Sequence, residues 1–407
     1  MGHDSRAPSC KKATVSNSAG IVIVGGGLAA TRTAEQLRRA EFAGPITIVS
    51  DEDHLPYDRP PLSKDVLRGE TDDVLLKPAE FYSEHHITLR LGSAATALDT
   101  AAQTVTLADG DVVPYDELVI ATGLTPKRIR SLPDLEGVRV LRTLDESLAL
   151  RRHAGSVKRA VIIGAGFIGC EVAASLRKLG AEVTIVEPQP APLASVLGQQ
   201  IGELVARLHR AEGVDVRCGV GVASVTGSGH VEKVQLSDGT ELDADVVVVG
   251  IGSRPSTDWL EGSGVEIDNG VVCDVHGRTS APNVWAVGDV ASWQDATGHQ
   301  VRVEHWSNVA EQARVIVPAM LGGDPPDVVV VPYFWSDQYD VKIQCLGEPE
   351  ADDVVHVVED DGRKFLAYYE RDGVVVGVVG GGMPGKVMKA RSKIANAAPI
   401  ADVLPAS

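Results

Sequence analysis

Two stretches of the chain carry the same arrangement of apolar and polar positions. Residues 21–40, IVIVGGGLAATRTAEQLRRA, begin as an apolar run, turn through glycines and continue with a helical pattern; residues 160–180, AVIIGAGFIGCEVAASLRKLG, do the same. A short apolar run ending at glycines reads as a buried strand, and the periodic stretch after it as a helix. Each unit leads into a second apolar strand that ends in acid, ITIVSDE at 46–52 and VTIVEP at 183–188. Further on, VTLADGDVVPYDELVIATG (105–123) matches VQLSDGTELDADVVVVGIG (234–252), each read as a hairpin followed by a closing apolar strand. The chain thus repeats one strand–helix–strand plan, and the expected fold class is α/β with two Rossmann-like domains.

The glycines of the two copies keep one spacing: Gly25 to Gly164 and Gly27 to Gly166 both span 139 positions. In a dinucleotide fingerprint the first glycine lets the strand turn sharply into the helix and the second lets the backbone approach a pyrophosphate. The third position must be small where helix packs on strand. These positions are Gly25, Gly27 and Ala30 in the first copy, and Gly164, Gly166 and Gly169, with Phe167 and Ile168 between, in the second. The diphosphate is expected at each helix N-terminus, where unpaired N–H groups and the dipole favour an anion. An acid some 20 residues onward accepts from the ribose. Glu187 fills that position in the second copy, Asp51 or Glu52 in the first. Two dinucleotides are expected.

Composition narrows the function. A net charge of −18 argues against a nucleic-acid partner, which would need a clustered basic surface. No apolar run reaches membrane-spanning length, and the polar residues 1–17 read as a disordered leader without a signal-peptide core, so a cytoplasmic location is expected. The five cysteines, at 10, 170, 218, 273 and 345, show no paired spacing for a metal site or dithiol. Aromatic residues make up 4% of the chain, yet YFWSDQY places four of them within residues 333–339.

TSAPNVWAVGDVASW (279–293), with Gly288 and Asp289, and ATG (Ala121, Thr122, Gly123) resemble the later FAD signatures of the glutathione-reductase-like flavoproteins. PYDRPPLSK (56–64), EHWSNVAEQAR (304–314) and FWSDQYD (334–340) resemble the ferredoxin reductases of bacterial oxygenase systems, over about residues 20–345. The resemblance implies FAD on the first fingerprint, with Asp289 on its ribitol chain, and NAD(H) on the second, which ends at Gly252. It also implies that Lys64, presented by the proline turn that contains Arg59, lies near the flavin paired with Glu171. A cation there stabilises the negative charge of the reduced ring, and the prolines cut the entropy lost in holding it. EHWSNVAEQAR reads as a loop into a helix whose N-terminus faces the flavin pyrimidine, with Trp306 and Trp335 walling the ring or leading toward a docked partner.

No cysteine occurs between 10 and 170, which excludes dithiol output, and Cys170 inside the second fingerprint helix reads as a packing residue. The domains are expected at 18–126 with 253–328 for FAD, 127–252 for NAD(H), and 329–407 for a C-terminal α+β domain. The expected activity is NADH-dependent, FAD-containing ferredoxin reduction serving a cytochrome P450 or a ring-hydroxylating oxygenase. Alternatives are rubredoxin or quinone reduction, and an NADH-sensing flavoprotein related to apoptosis-inducing factor. The chain is expected to be a monomer or weak dimer. Arg314 and Lys342 are expected to rim the ferredoxin site, and Lys386, Lys389, Arg391 and Lys393 either join them or form a solvated helix face.

Overall fold

The computed structural model describes residues 19–295, 297–326 and 331–405. The expected leader and the expected start of the C-terminal domain at 329 lie outside them. β1 (Ile21–Val24) is buried at all four positions and runs straight into Gly25, after which α1 (Leu28–Arg39) packs back on the sheet. β1 pairs in parallel with β2 (Ile46–Val49) on one side and with Glu117–Ile120 on the other; Ile87–Arg90 and Val284–Ala286 complete a five-stranded parallel sheet. Its outermost strand, Val284–Ala286, comes from more than 150 residues downstream, after the whole second unit.

The second unit repeats the plan. Strand Arg159–Ile163 leads into α2 (Phe167–Lys178), then β3 (Glu182–Glu187), and the five parallel strands run in the order Asp215–Cys218, β3, Arg159–Ile163, Val246–Val249, Val138–Arg139. α3 (Ala194–Ala211) covers one face and kinks at Gly198. The hairpins read from the sequence are each one strand larger, as three-stranded antiparallel sheets. The chain passes between the two units through the paired strands Leu124–Pro126 and Ser253–Pro255.

α4 (Trp306–Met320) packs along α1, and β4 (Tyr333–Gln338) opens a five-stranded antiparallel sheet with Val341–Gly347, Val374–Gly381, Phe365–Arg371 and Val354–Asp360. That sheet shares a core with the second unit: Ile343, Cys345, Phe365 and Tyr369 pack with Leu197, Ile201 and Val205 of α3. The three parts therefore meet at one seam, where α2, β4 and the turn after β2 come together.

Candidate active site

A cleft of about 1380 Å³ follows that seam. Its floor begins at the first fingerprint. Gly25 has φ +131°, and a Cβ there would stand 2.1 Å from the Ala121 carbonyl oxygen, so only glycine lets β1 and the ATG turn approach. A Cβ on Gly27 would meet nothing within 4 Å, leaving open space above the turn. Ala30 is fully buried against the sheet, as its small size allows. Gly27, Gly166 and His305, the N-caps of α1, α2 and α4, make no side-chain capping bond, and no acid stands in any of the three first turns. Three positive helix ends thus stay available to anions.

Asp51 and Glu52 both line the cleft, but differently. Glu52 accepts from Arg59 at 2.8 Å and from the Tyr57 hydroxyl at 2.5 Å, whereas Asp51 is exposed. Thr122 is turned away to the Ser256 carbonyl at 2.8 Å, leaving the ATG backbone at the wall. Gly288 lies in the left-handed region at φ +80°, and its N–H donates to Gln312 of α4 at 2.8 Å. Asp289 stands 3.6 Å from Arg142; burial pushes its carboxyl upward, with Arg142 opposing that shift.

Arg142 and Arg302, which the sequence reading did not single out, also line the cleft. Both keep a buried Nε with no partner among the described residues, as does the Nδ1 of His305. Buried donors left open in a wall signal a ligand that completes them. Open glycine backbone, uncapped helix ends and unpaired buried donors along one elongated cleft fit a long anionic dinucleotide such as FAD.

Where the seam is deepest, Lys64 Nζ lies 3.0 Å from Glu171 Oε2; the two residues are 7% and 6% exposed. Lys64 ends the single 3₁₀ turn Pro60–Ser63, and Glu171 projects from the first turns of α2, so an ion pair 107 residues apart in sequence is closed by the packing of that turn on α2. Burying two charges is tolerable only when their remaining hydrogen-bonding capacity is met. Ser63 donates to Glu171 Oε2 at 2.5 Å, and Ser336 of β4 donates to Oε1 at 2.8 Å. Phe167 and Ile168 line the same region, Phe167 packing edge-on to Phe334 at 5.0 Å and Phe334 against His305 at 4.9 Å. Trp306 and Trp335 meet edge-on at 6.0 Å, and Trp306 Nε1 donates to Asp58 at 2.8 Å.

Other expected positions lie outside this cleft. Gly164, Gly166 and Gly169 sit under the turn into α2, where a Cβ on Gly169 would fall 2.1 Å from the Gly164 carbonyl oxygen. Glu187 accepts from the Ala165 N–H at 2.7 Å and the Gln189 N–H at 2.9 Å, so its carboxylate is already oriented by backbone. Gly252 is exposed at φ +88° between the two units. Arg314 and Lys342 are exposed, and each is paired within its own element or hairpin, Arg314 with Glu311 at 3.3 Å and Lys342 with Asp337 at 3.4 Å. In the tail, Lys386 pairs with Glu359 and Lys393 with Asp402. Among the described residues every cysteine is free, and burial raises the Cys170 thiol far above its usual range.

These features decide the comparison with known proteins. Residues 19–313 match the family described as pyridine nucleotide-disulphide oxidoreductase, and residues 333–405 match the reductase C-terminal domain. The chain belongs to the pyridine nucleotide-disulphide oxidoreductase family. Among relatives of this oxidoreductase, a ferredoxin–NAD(P)(+) reductase of Sphingomonas sp is 38% identical, with 88% of each chain covered. Rhodocoxin reductase of Rhodococcus erythropolis is 37% identical, covering 93% of this chain and 90% of that one. Putidaredoxin reductase, solved in a covalent complex with putidaredoxin, superposes with a TM-score of 0.90 at 34% identity over 94% of both chains. Family members use FAD and NAD(H), and the cleft residues fit FAD. Among the described residues no helix is long and apolar enough to cross a membrane.

The seam also sets an acid sensitivity. Burial lowers His209 of α3 from an ordinary 6.5 to about 4, and His305 likewise. Below the unfolded value the unfolded chain takes up a proton that the folded chain refuses, so stability falls as pH drops from 6.5 toward 4. His209 accounts for on the order of 3 kcal/mol of that loss. His209→Gln is expected to flatten the fall in urea midpoint between pH 7 and pH 5; parallel curves for variant and parent would contradict it.

Proposed function

We propose that this oxidoreductase is an NADH-dependent, FAD-containing ferredoxin reductase that passes electrons singly to a small iron–sulfur protein serving a cytochrome P450 or a ring-hydroxylating oxygenase. The observation that carries the reading is the buried Lys64–Glu171 pair in the main cleft, in a sequence with no cysteine between residues 10 and 170 to form a dithiol beside the first fingerprint. FAD, when bound, supplies the chemistry that accepts a hydride and gives up electrons one at a time. The chain's own residues bind, orient and exclude water. Gly25, Gly27 and the N-terminus of α1 cradle the diphosphate, with Arg142 and Arg302 as further cations, and Asp51 takes the ribose because its carboxylate is the one not tied by Tyr57 and Arg59. Asp289 holds the ribitol hydroxyls. The uncapped N-terminus of α4 would favour the negative charge of a reduced flavin.

Lys64 would supply a fixed positive charge to the bound flavin, and Glu171 keeps that lysine in place. Phe167, Ile168 and the turn into α2 receive NADH, with Glu187 on its adenosine ribose. No side chain acts as a nucleophile.

Trp335 and Trp306 line the cleft, and Lys342, exposed on the strand paired with β4, lies 5.7 Å from the Trp335 ring. Arg314 and Lys342 rim the ferredoxin site in this reading. Because each already has an intramolecular acid, docking exchanges a weak exposed pair for an interfacial one, so the effect of each is modest. Arg314→Glu with Lys342→Glu is expected to raise KM for ferredoxin about fivefold and flatten its salt dependence, leaving NADH-to-ferricyanide turnover intact. Ferredoxin kinetics unchanged across salt concentrations would place docking elsewhere. The reading as a whole is tested by NADH oxidation coupled to a ferredoxin against the same assay without it.

A further inference from the structure

One feature of the seam has no part in binding either dinucleotide. Ser336 and Gln338, on the inward-facing side of β4, are both 0% exposed, in a sheet whose other buried positions are mostly apolar. Behind them a polar run crosses into the second unit. Ser336 Oγ is 2.8 Å from Glu171 Oε1, Gln338 Nε2 is 3.2 Å from Ser336 Oγ, His209 Nε2 is 3.0 Å from Gln338 Oε1, and His209 Nδ1 is 2.8 Å from the Tyr339 hydroxyl.

Donor and acceptor roles along this run follow from its ends. A carboxylate only accepts, so Ser336 spends its one proton on Glu171 and accepts from the Gln338 amide N–H. The Gln338 carbonyl oxygen then accepts from His209, which fixes the neutral ring with its proton on Nε2, and Nδ1 accepts from Tyr339. Every donor therefore points toward Glu171. Such an aligned chain polarises toward a negative terminus and holds it in one orientation. Tyr339 sustains the far end from a backbone at φ +59°, a region that favours glycine, and the hydroxyl contact to His209 comes from that turn.

We propose that Ser336 is a positioning residue for hydride transfer. Its hydroxyl fixes Glu171 Oε1 while Lys64 and Ser63 occupy Oε2, and Gln338 and His209 lock the Ser336 rotamer. The carboxylate that orients Lys64 is thus held by Ser63 and Lys64 on one side and by Ser336 on the other, so Ser336 acts on the site through Glu171. The inference rests on reading Lys64 and Glu171 as the pair at the hydride site.

The test uses the holoenzyme and the variants Ser336→Ala, Ser336→Thr, Gln338→Leu, Glu171→Gln and the double variant Ser336→Ala/Glu171→Gln. Stopped-flow reduction by NADH should give a limiting rate about tenfold lower for Ser336→Ala, at an NADH Kd close to the parent value. Ser336→Thr, which keeps the hydroxyl, should recover most of that loss. The double variant should be no slower than Glu171→Gln alone. In urea unfolding, the midpoint shifts of Ser336→Ala and Glu171→Gln should sum to more than the shift of the double variant. Additive shifts, or a Ser336→Ala rate equal to the parent's while Glu171→Gln is slow, would overturn the role of Ser336 and leave the ion-pair reading standing. A parent-like rate in Glu171→Gln would overturn both. If Ser336→Ala does not fold, Gln338→Leu carries the comparison, since it frees Ser336 to turn away; a parent-like rate there counts against the proposal.

Discussion

Lys64→Met is expected to lower the limiting rate of flavin reduction by NADH about 100-fold, while the NADH Kd moves by less than about threefold. The split follows from where the charge acts. A cation beside the ring stabilises negative charge that exists only after hydride arrives, so it contributes to the transition state and little to ground-state binding. The substitution has a second consequence, because it strands Glu171 in a site where it is 6% exposed. Breaking a buried pair by removing one partner is more destabilising than replacing both. Lys64→Met/Glu171→Gln should therefore regain much of the lost stability without regaining the rate. Stopped flow and urea unfolding on the two variants separate the effects. An unchanged reduction rate in Lys64→Met would make this lysine structural only.

The second large effect is cofactor choice: kcat/KM for NADH is expected to exceed that for NADPH by about 100-fold. A carboxylate accepts from a ribose 2′-hydroxyl and repels a 2′-phosphate, and the backbone N–H groups of Ala165 and Gln189 hold the Glu187 carboxylate in one orientation. The stretch PQPAP after Glu187 contains no arginine to compensate. The fold does bring Arg210 and Arg217 to a hollow that also includes Pro190 and Cys218, the residue paired with Glu187 across the sheet. Arg217 pairs with Asp215 at 2.7 Å and Arg210 donates to the Val216 carbonyl at 3.2 Å, so these cations are expected to lessen the preference without reversing it. Glu187→Ser is expected to narrow the ratio. Equal kcat/KM values for the two cofactors in the parent protein would contradict the assignment of Glu187.

The parts legible in the sequence were those that local backbone physics dictates. Gly25, Gly164 and Gly169 sit where a Cβ has no room, and the shared spacing of the fingerprint glycines announced both parallel sheets. Lys64 and Glu171 were reached only through a family resemblance, because nothing local says that a proline turn will pack on a helix 107 residues later. Arg142 and Arg302 were missed for the same reason: an arginine in a polar stretch looks solvated until the fold buries its Nε. A signal for Ser336 was present and unused. Alternation along YFWSDQ directs Phe334, Ser336 and Gln338 to one side, and two polar residues on a side that is buried ask for partners. The exposed cations show the converse limit. The sequence displays the charge of Lys342, whereas its acid partner depends on the register that sets Asp337 opposite it.

That electrons leave this oxidoreductase singly to an iron–sulfur protein is tested most directly by NADH-dependent cytochrome c reduction with and without a bacterial ferredoxin. The account predicts a rate that rises and saturates with ferredoxin, is slow in its absence, and persists with ferricyanide as acceptor. Cytochrome c reduction that is equally fast without ferredoxin, or that stays slow at every ferredoxin concentration while ferricyanide turnover is rapid, would contradict it.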